Sequence, residues 1–143
     1  MYESLLLAHS LLRYFILIAL VAVIIMAIRG LTAKQPYGKW DNMVGLYLFI
    51  FTHMQLLIGL VLYGVSPFVQ FGGETMSNKV TRYWTVEHIV SMLIAIVLIT
   101  LARTTAKRMT SDASKHRRMA VFNVLALVII IGTIMMSGRA LVG

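Results

Sequence analysis

Four stretches of about 20 mainly apolar residues, joined by shorter polar segments, leave this chain few folds to choose from. They run from about Ser4 to Ile28, Asn42 to Val65, Tyr83 to Ala102 and Met119 to Ser137. At about 1.5 Å per residue, each is long enough as a helix to cross roughly 30 Å of hydrocarbon. Of the 143 residues, 59% are hydrophobic and only 13% charged, too few charges to cover a water-exposed surface of this size. The sequence therefore predicts an all-α fold, an integral membrane four-helix bundle forming a single transmembrane domain over residues 1–143. No internal repeat, low-complexity tract or linker divides it. The first stretch is too long for a cleaved signal peptide and lacks a preceding basic segment, so it is expected to stay in the mature protein.

The polar segments differ in charge. RGLTAKQPYGKWD (Arg29 to Asp41) and RTTAKRMTSDASKHRR (Arg103 to Arg118) hold nine of the thirteen Lys and Arg residues, against two Asp. With four spans these segments share one side, which the positive-inside rule makes cytoplasmic; both termini then lie outside. The formal charge of +8 thus marks a membrane face, and no nucleic acid is expected as a partner. The segment Ser66 to Arg82 lies outside on this reading. There Pro67 stops the second helix, Gly72 and Gly73 give turn freedom, and Phe68 and Phe71 rest in the headgroup layer. Tyr37, Trp40, Tyr63, Tyr83 and Trp84 fall near span ends, where interfacial aromatics belong.

Function must come from polar groups that hydrocarbon would otherwise exclude. Within the spans these are His9, Arg13, His53, Gln55, Glu87 and His88, with Thr52, Thr85 and Ser91 beside them. An ionisable group there costs at least a few kcal/mol unless it faces the bundle interior and pairs, so several together point to a buried site. His53 lies 12 residues past Asp41 and His88 lies 15 before Arg103, depths of roughly 18 and 22 Å from the basic end. Two neutral imidazoles at similar depth on different helices are what a six-coordinate haem iron requires of a four-helix bundle. Phe49, Ile50, Leu56, Leu57 and Leu60 surround His53 at helical spacing. Beside His88 lie Trp84, Ser91, Met92 and Ala95, of which Ser91 and Ala95 leave room for a flat macrocycle. The plainer alternative is a pair of hydrogen-bonded or proton-handling histidines.

Arg13 and Glu87 each lie 16 residues from the basic end of their spans, so they are candidates for an ion pair. Arg13 could instead meet a haem propionate or reach outward to phosphates. His9, one turn outward from Arg13, could serve as a propionate partner, a rival ligand to His88 or part of a quinone site. His116 sits in the basic run Lys115, His116, Arg117, Arg118, where a solvated or headgroup role is expected, so a second haem is not the main expectation. The fourth span carries no His; Asn123, Thr133 and Ser137 are its polar residues, and Ala126 and Gly132 are expected to let it pack closely.

Other chemistries find less support. Without Cys there are no disulfides, thiolate metal sites, iron–sulfur clusters or cysteine nucleophiles. Ten Met residues invite a copper reading, but Met54, Met92, Met135 and Met136 form no ligand cluster, and Met commonly fills irregular apolar cores. HExxH and paired catalytic carboxylates are missing, which argues against a zinc hydrolase.

The stretches AHSLLRYFIL, WDNMVGLYLFIFTHMQLLIGLVLYGVSP, VQFG, TRYWTVEHIVSMLIAIVLITLAR and KHRR cover nearly the whole chain. Together they resemble a small four-helix bacterial membrane family loosely labelled cytochrome b and similar in architecture to the cytochrome b561 group. The resemblance implies a haem b with His53 and His88 as iron ligands and with His9 and Arg13 beside them. The chain is shorter than the larger b561 proteins and lacks a His in its fourth span. The expected function is one-electron transfer through one buried haem, exchanging with quinol, quinone or another membrane subunit in the lipid bilayer. An accessory subunit bracing a larger respiratory or secretion complex is the alternative. A proton or ion carrier using Glu87, Arg13 and the histidines is a third.

Overall fold

The computed structural model describes residues 2–65 and 88–136. Within them lie four helices: α1 (Tyr2–Thr32), α2 (Lys39–Val65), α3 (His88–Arg108) and α4 (Asp112–Met136). All four are long and apolar enough to cross a membrane, as the hydropathy pattern requires. The segment Ser66 to Arg82, together with Tyr83, Trp84, Thr85, Glu87 and Ser137, lies outside the described residues.

At the basic end the helices outrun the apolar stretches. α1 continues past Ile28 to Thr32, α3 past Ala102 to Arg108, and α4 begins before Met119 at Asp112. The expected loop from Arg103 to Arg118 thus shrinks to residues 109–111. Hydropathy marks where hydrocarbon stops, whereas the helix stops where its end groups find other partners. α1 ends in a Schellman turn: Ala33 N–H donates to Arg29 O and Gln35 N–H to Gly30 O, each at 2.9 Å. Lys34 holds the left-handed position of that turn, with φ 53°, and Pro36 prevents the helix from resuming. α2 starts with a capping arrangement in which Gly38 N–H donates to Asp41 Oδ2 at 2.9 Å. Ser111 caps α4, its Oγ accepting from Ser114 N–H at 3.1 Å.

α1 packs against α2 and α4, α3 packs against α4, and α2 meets α3 less extensively. The helices therefore ring an interior in chain order, with α1 and α3 on one diagonal. Leu20 of α1, Leu48 of α2, Ala102 of α3 and Ala126 of α4 are fully buried there. Small residues let the closest pair approach: Ala95, Ala102 and Ala106 on α3 and Ala120 and Ala126 on α4 are all buried. Gly132 plays no such part, because it is exposed and a Cβ placed on it would touch nothing within 4 Å. Outward faces carry Ile18 (68% exposed), Leu57 (66%) and Val128 (62%), a degree of apolar exposure that suits lipid better than water.

Candidate functional site

His88, half-buried, lies at helical-turn spacing on the same face of α3 as the buried Ala95, Ile99, Ala102 and Ala106. That face is turned to the interior, and the His88 ring meets His9 from the diagonal helix α1, with centroids 6.4 Å apart and planes at 59°. α2 supports the pair. Gln55 Nε2 donates to the His9 carbonyl at 2.9 Å, and the His9 ring packs beside Gly59, where a Cβ would lie in ordinary contact at 3.4 Å from Cε1. His9 Nδ1 and Gln55 Oε1 are buried and take no hydrogen bond among the described residues. Arg13, one turn further along α1, is half-buried; it donates to the Tyr14 hydroxyl at 3.2 Å and lies 5.0 Å from that ring's centre. Its expected partner Glu87 lies outside the described residues.

His53 occupies a different position. It stands about 100° round α2 from the buried Thr52, half-buried on a flank where Leu57 and Leu60 are exposed. Phe51, on the opposite flank, meets Phe15 of α1 at 6.3 Å, so His53 lies on the side of α2 away from that contact. Its Nδ1 donates to Phe49 O at 2.8 Å, and its ring lies 4.2 Å from that of Phe49. A carbonyl can only accept, so Nδ1 carries the hydrogen, and the neutral tautomer with that arrangement has its lone pair at Nε2. The rings that meet are thus those of His9 and His88, with His53 six residues deeper than Gly59 on α2, roughly 9 Å.

The basic end holds a second polar cluster, and here the solvated role expected of His116 is overturned. His116 is 1% exposed; its Nε2 donates to Gln35 O at 3.0 Å and its ring lies 5.3 Å from that of Tyr37. Gly30 makes the burial possible, because a Cβ on it would fall under 3.0 Å from three atoms of the imidazole. Arg103, read as a loop residue from the sequence, is also buried and donates to Asn42 O at 3.1 Å. Gly45 leaves space for its guanidinium and for Met119. Burial raises the Tyr37 phenol above its ordinary value of 10.0; nearby Arg103 opposes the rise and Asp41 adds to it.

Only part of this arrangement can hold a metal. Among the described residues no cluster of three or more His, Asp or Glu side chains exists, so a cage built wholly of protein ligands is not formed there. A haem needs only two axial nitrogens, and His53 fits that need: metal-bound histidines commonly donate their other ring N–H to a backbone carbonyl. The His9–His88 spacing also suits two imidazoles on one metal, since each metal–nitrogen bond is about 2 Å and the ring radii supply the remainder. In comparisons with protein-family models, curated proteins and solved structures, nothing matches the chain.

Proposed function

We propose that this chain is a membrane cytochrome of the b type that passes single electrons between a quinol or quinone, or a partner subunit, and a further acceptor. It would span a bacterial inner membrane four times, with both termini on the periplasmic side and the basic end in the cytoplasm. The observation that carries the reading is the His53 ring, whose Nδ1–H is held by Phe49 O so that Nε2 would be left to bind iron. His88 would supply the second nitrogen from α3. Exposed Leu57 and Leu60, on the same flank of α2 as His53, offer an apolar surface that a porphyrin would cover. When bound, haem b would supply the reversible one-electron step, with His53 and His88 as the residues that would hold its iron. Arg13 provides a cation in the outer half of the bundle, suited to holding a carboxylate such as a propionate.

One observation favours a second ligand assignment within the same function. His9 already lies 6.4 Å from His88, which makes it the competing axial partner. Haem extraction and reduced-minus-oxidised spectra of the purified full chain distinguish the two assignments. The wild type should carry haem b; His53→Ala and His88→Ala should lose it, and His9→Ala should keep it. Loss in His9→Ala and His88→Ala with retention in His53→Ala moves ligation to His9. Bands surviving in both His53→Ala and His88→Ala refute the assignment. A colourless wild type that copurifies with larger subunits at fixed stoichiometry overturns the cytochrome itself and favours the accessory subunit.

A further inference from the structure

The end of the bundle away from His9 and His88 carries more positive charge than its own carboxylates can balance. Nine Lys and Arg side chains in residues 29–41 and 103–118 face only two carboxylates, Asp41 and Asp112. Asp41 Oδ2 already accepts from Gly38 N–H at 2.9 Å, and of the nine cations Arg103 alone is buried. Each of the four helices contributes to the rest: Arg29 of α1, Lys39 of α2, Lys107 of α3 and Arg117 of α4 are all exposed. The charge therefore rings the bundle and is not gathered on one helix. Its height is what selects a partner. Because the helices outrun the apolar stretches, these four cations stand on helix sides, one to five residues past the apolar edge at Ile28, Asn42, Ala102 and Met119, or roughly 1.5–8 Å. The headgroup layer on each face of a bilayer is roughly 5–7 Å thick, so in a membrane they lie level with the phosphates.

We propose that the basic end is a collar for phospholipids of net negative headgroup, bound around the four helices in preference to zwitterionic ones. Exposed ammonium and guanidinium groups attract the headgroup phosphate, and each such cation near the surface is worth about fivefold in affinity. A zwitterionic headgroup brings the same phosphate but adds its own cation, which the collar repels. Aromatic neighbours fit the same depth. Trp40, beside Lys39, is 70% exposed, as an interfacial anchor should be. Lys115 Nζ lies 5.8 Å from the Tyr37 ring centre and the Arg118 guanidinium 5.7 Å from that of Phe122, so both charged heads stay beside rings at the apolar boundary. An acidic protein or a nucleic acid approaching from water would meet the helix connections first, and of the nine cations only Lys34 lies in one. The proposal rests on the helices crossing a bilayer, and on neither the haem nor the side that the basic end faces.

Spin-labelled lipids test it. The full chain is reconstituted in phosphatidylcholine vesicles with a trace of chain-labelled phosphatidylglycerol or phosphatidylcholine, and electron spin resonance measures how much of each is motionally restricted at the protein surface. Phosphatidylglycerol should be favoured about fivefold at low salt. At 1 M salt, where the screening length is about 3 Å, the preference should fall below about twofold. Combining Arg29→Gln, Lys39→Gln, Lys107→Gln and Arg117→Gln should also bring it below about twofold at low salt, with as much restricted phosphatidylcholine as in the wild type, which shows that the variant is still inserted. A wild type that restricts both lipids equally overturns the collar and leaves the spans standing; if that protein binds soluble polyglutamate, the rim belongs to an acidic macromolecule. A preference unchanged at 1 M salt, or kept in full by the inserted variant, overturns it too. Restriction of neither lipid overturns the membrane-crossing reading itself.

Discussion

Gly30→Ala reverses the usual consequence of its own chemistry. In a helix interior Gly to Ala ordinarily stabilises by about 1 kcal/mol, because Ala restricts the unfolded chain and favours the helix. Here the added Cβ falls under 3.0 Å from Cε1, Nε2 and Nδ1 of His116, a ring that is 1% exposed and held by its bond to Gln35 O. Forcing a methyl into such a site costs about 1–3 kcal/mol. Displacing the ring also forfeits its bond to Gln35 O, about 1 kcal/mol net. The helix gain offsets part of this, so the expected loss is about 1–3 kcal/mol. Thermal unfolding of the detergent-solubilised chain, followed by circular dichroism, measures it. The decisive comparison is the same change in a His116→Ala background, where the obstacle is gone and Gly30→Ala should stabilise by up to about 1 kcal/mol. If Gly30→Ala stabilises the wild type as well, the imidazole does not rest on Gly30 and the account of the basic-end cluster fails.

Three further outcomes can be checked. Lys34→Gly should stabilise by about 0.5–1 kcal/mol in thermal unfolding, because φ 53° strains an L-residue and suits glycine; destabilisation would show that the α1 end is not the turn described. Tyr37 keeps its proton in the fold at a pH where an unfolded tyrosine loses it, so its contribution is intact below pH 10.0 and is lost as the pH rises beyond that value. Phenolate absorbance should show a late-ionising component that is absent in Tyr37→Phe, whose stability should fall less steeply above pH 10.0. Because the chain has no Cys, single-cysteine variants report topology cleanly: an impermeant maleimide on intact cells should label Ser4→Cys and spare Lys34→Cys. The opposite pattern would invert the bundle in the membrane.

The four spans are legible in the sequence because a stretch of about 20 apolar residues has no competing soluble arrangement. Their polar ends are less so. Arg29, Arg103 and Arg108 read as loop residues by charge, yet all three are helical, since a charged residue past the hydrocarbon edge still satisfies its backbone within the helix. The ends are set by local chemistry that a hydropathy window averages away: Lys34 and Pro36 after α1, Gly38 and Asp41 before α2, and Ser111 before α4.

The same averaging hides His116. Composition places it in KHRR, a run that reads as solvated, whereas helical spacing groups it with Met119, Asn123, Ala126 and Ile130, all of them buried. Arg117, its immediate neighbour, projects about 100° away and is exposed, so a basic run can wrap a helix and still send one member inward. The periodic signal is present in the sequence, but its meaning depends on Gly30 of α1, 86 residues earlier, which alone leaves space for the ring. Depth counting for the outer histidines meets the complementary limit. Counting along each helix can level His53 with His88, but it cannot show that His88 lies on the inner stripe of α3 while His53 lies a quarter-turn off that of α2. His9 reaches His88 across the diagonal, between two helices that are not neighbours in the ring. At the basic end, then, a glycine on one helix determines where a histidine on another can lie, and such a pairing emerges only once the helices are packed.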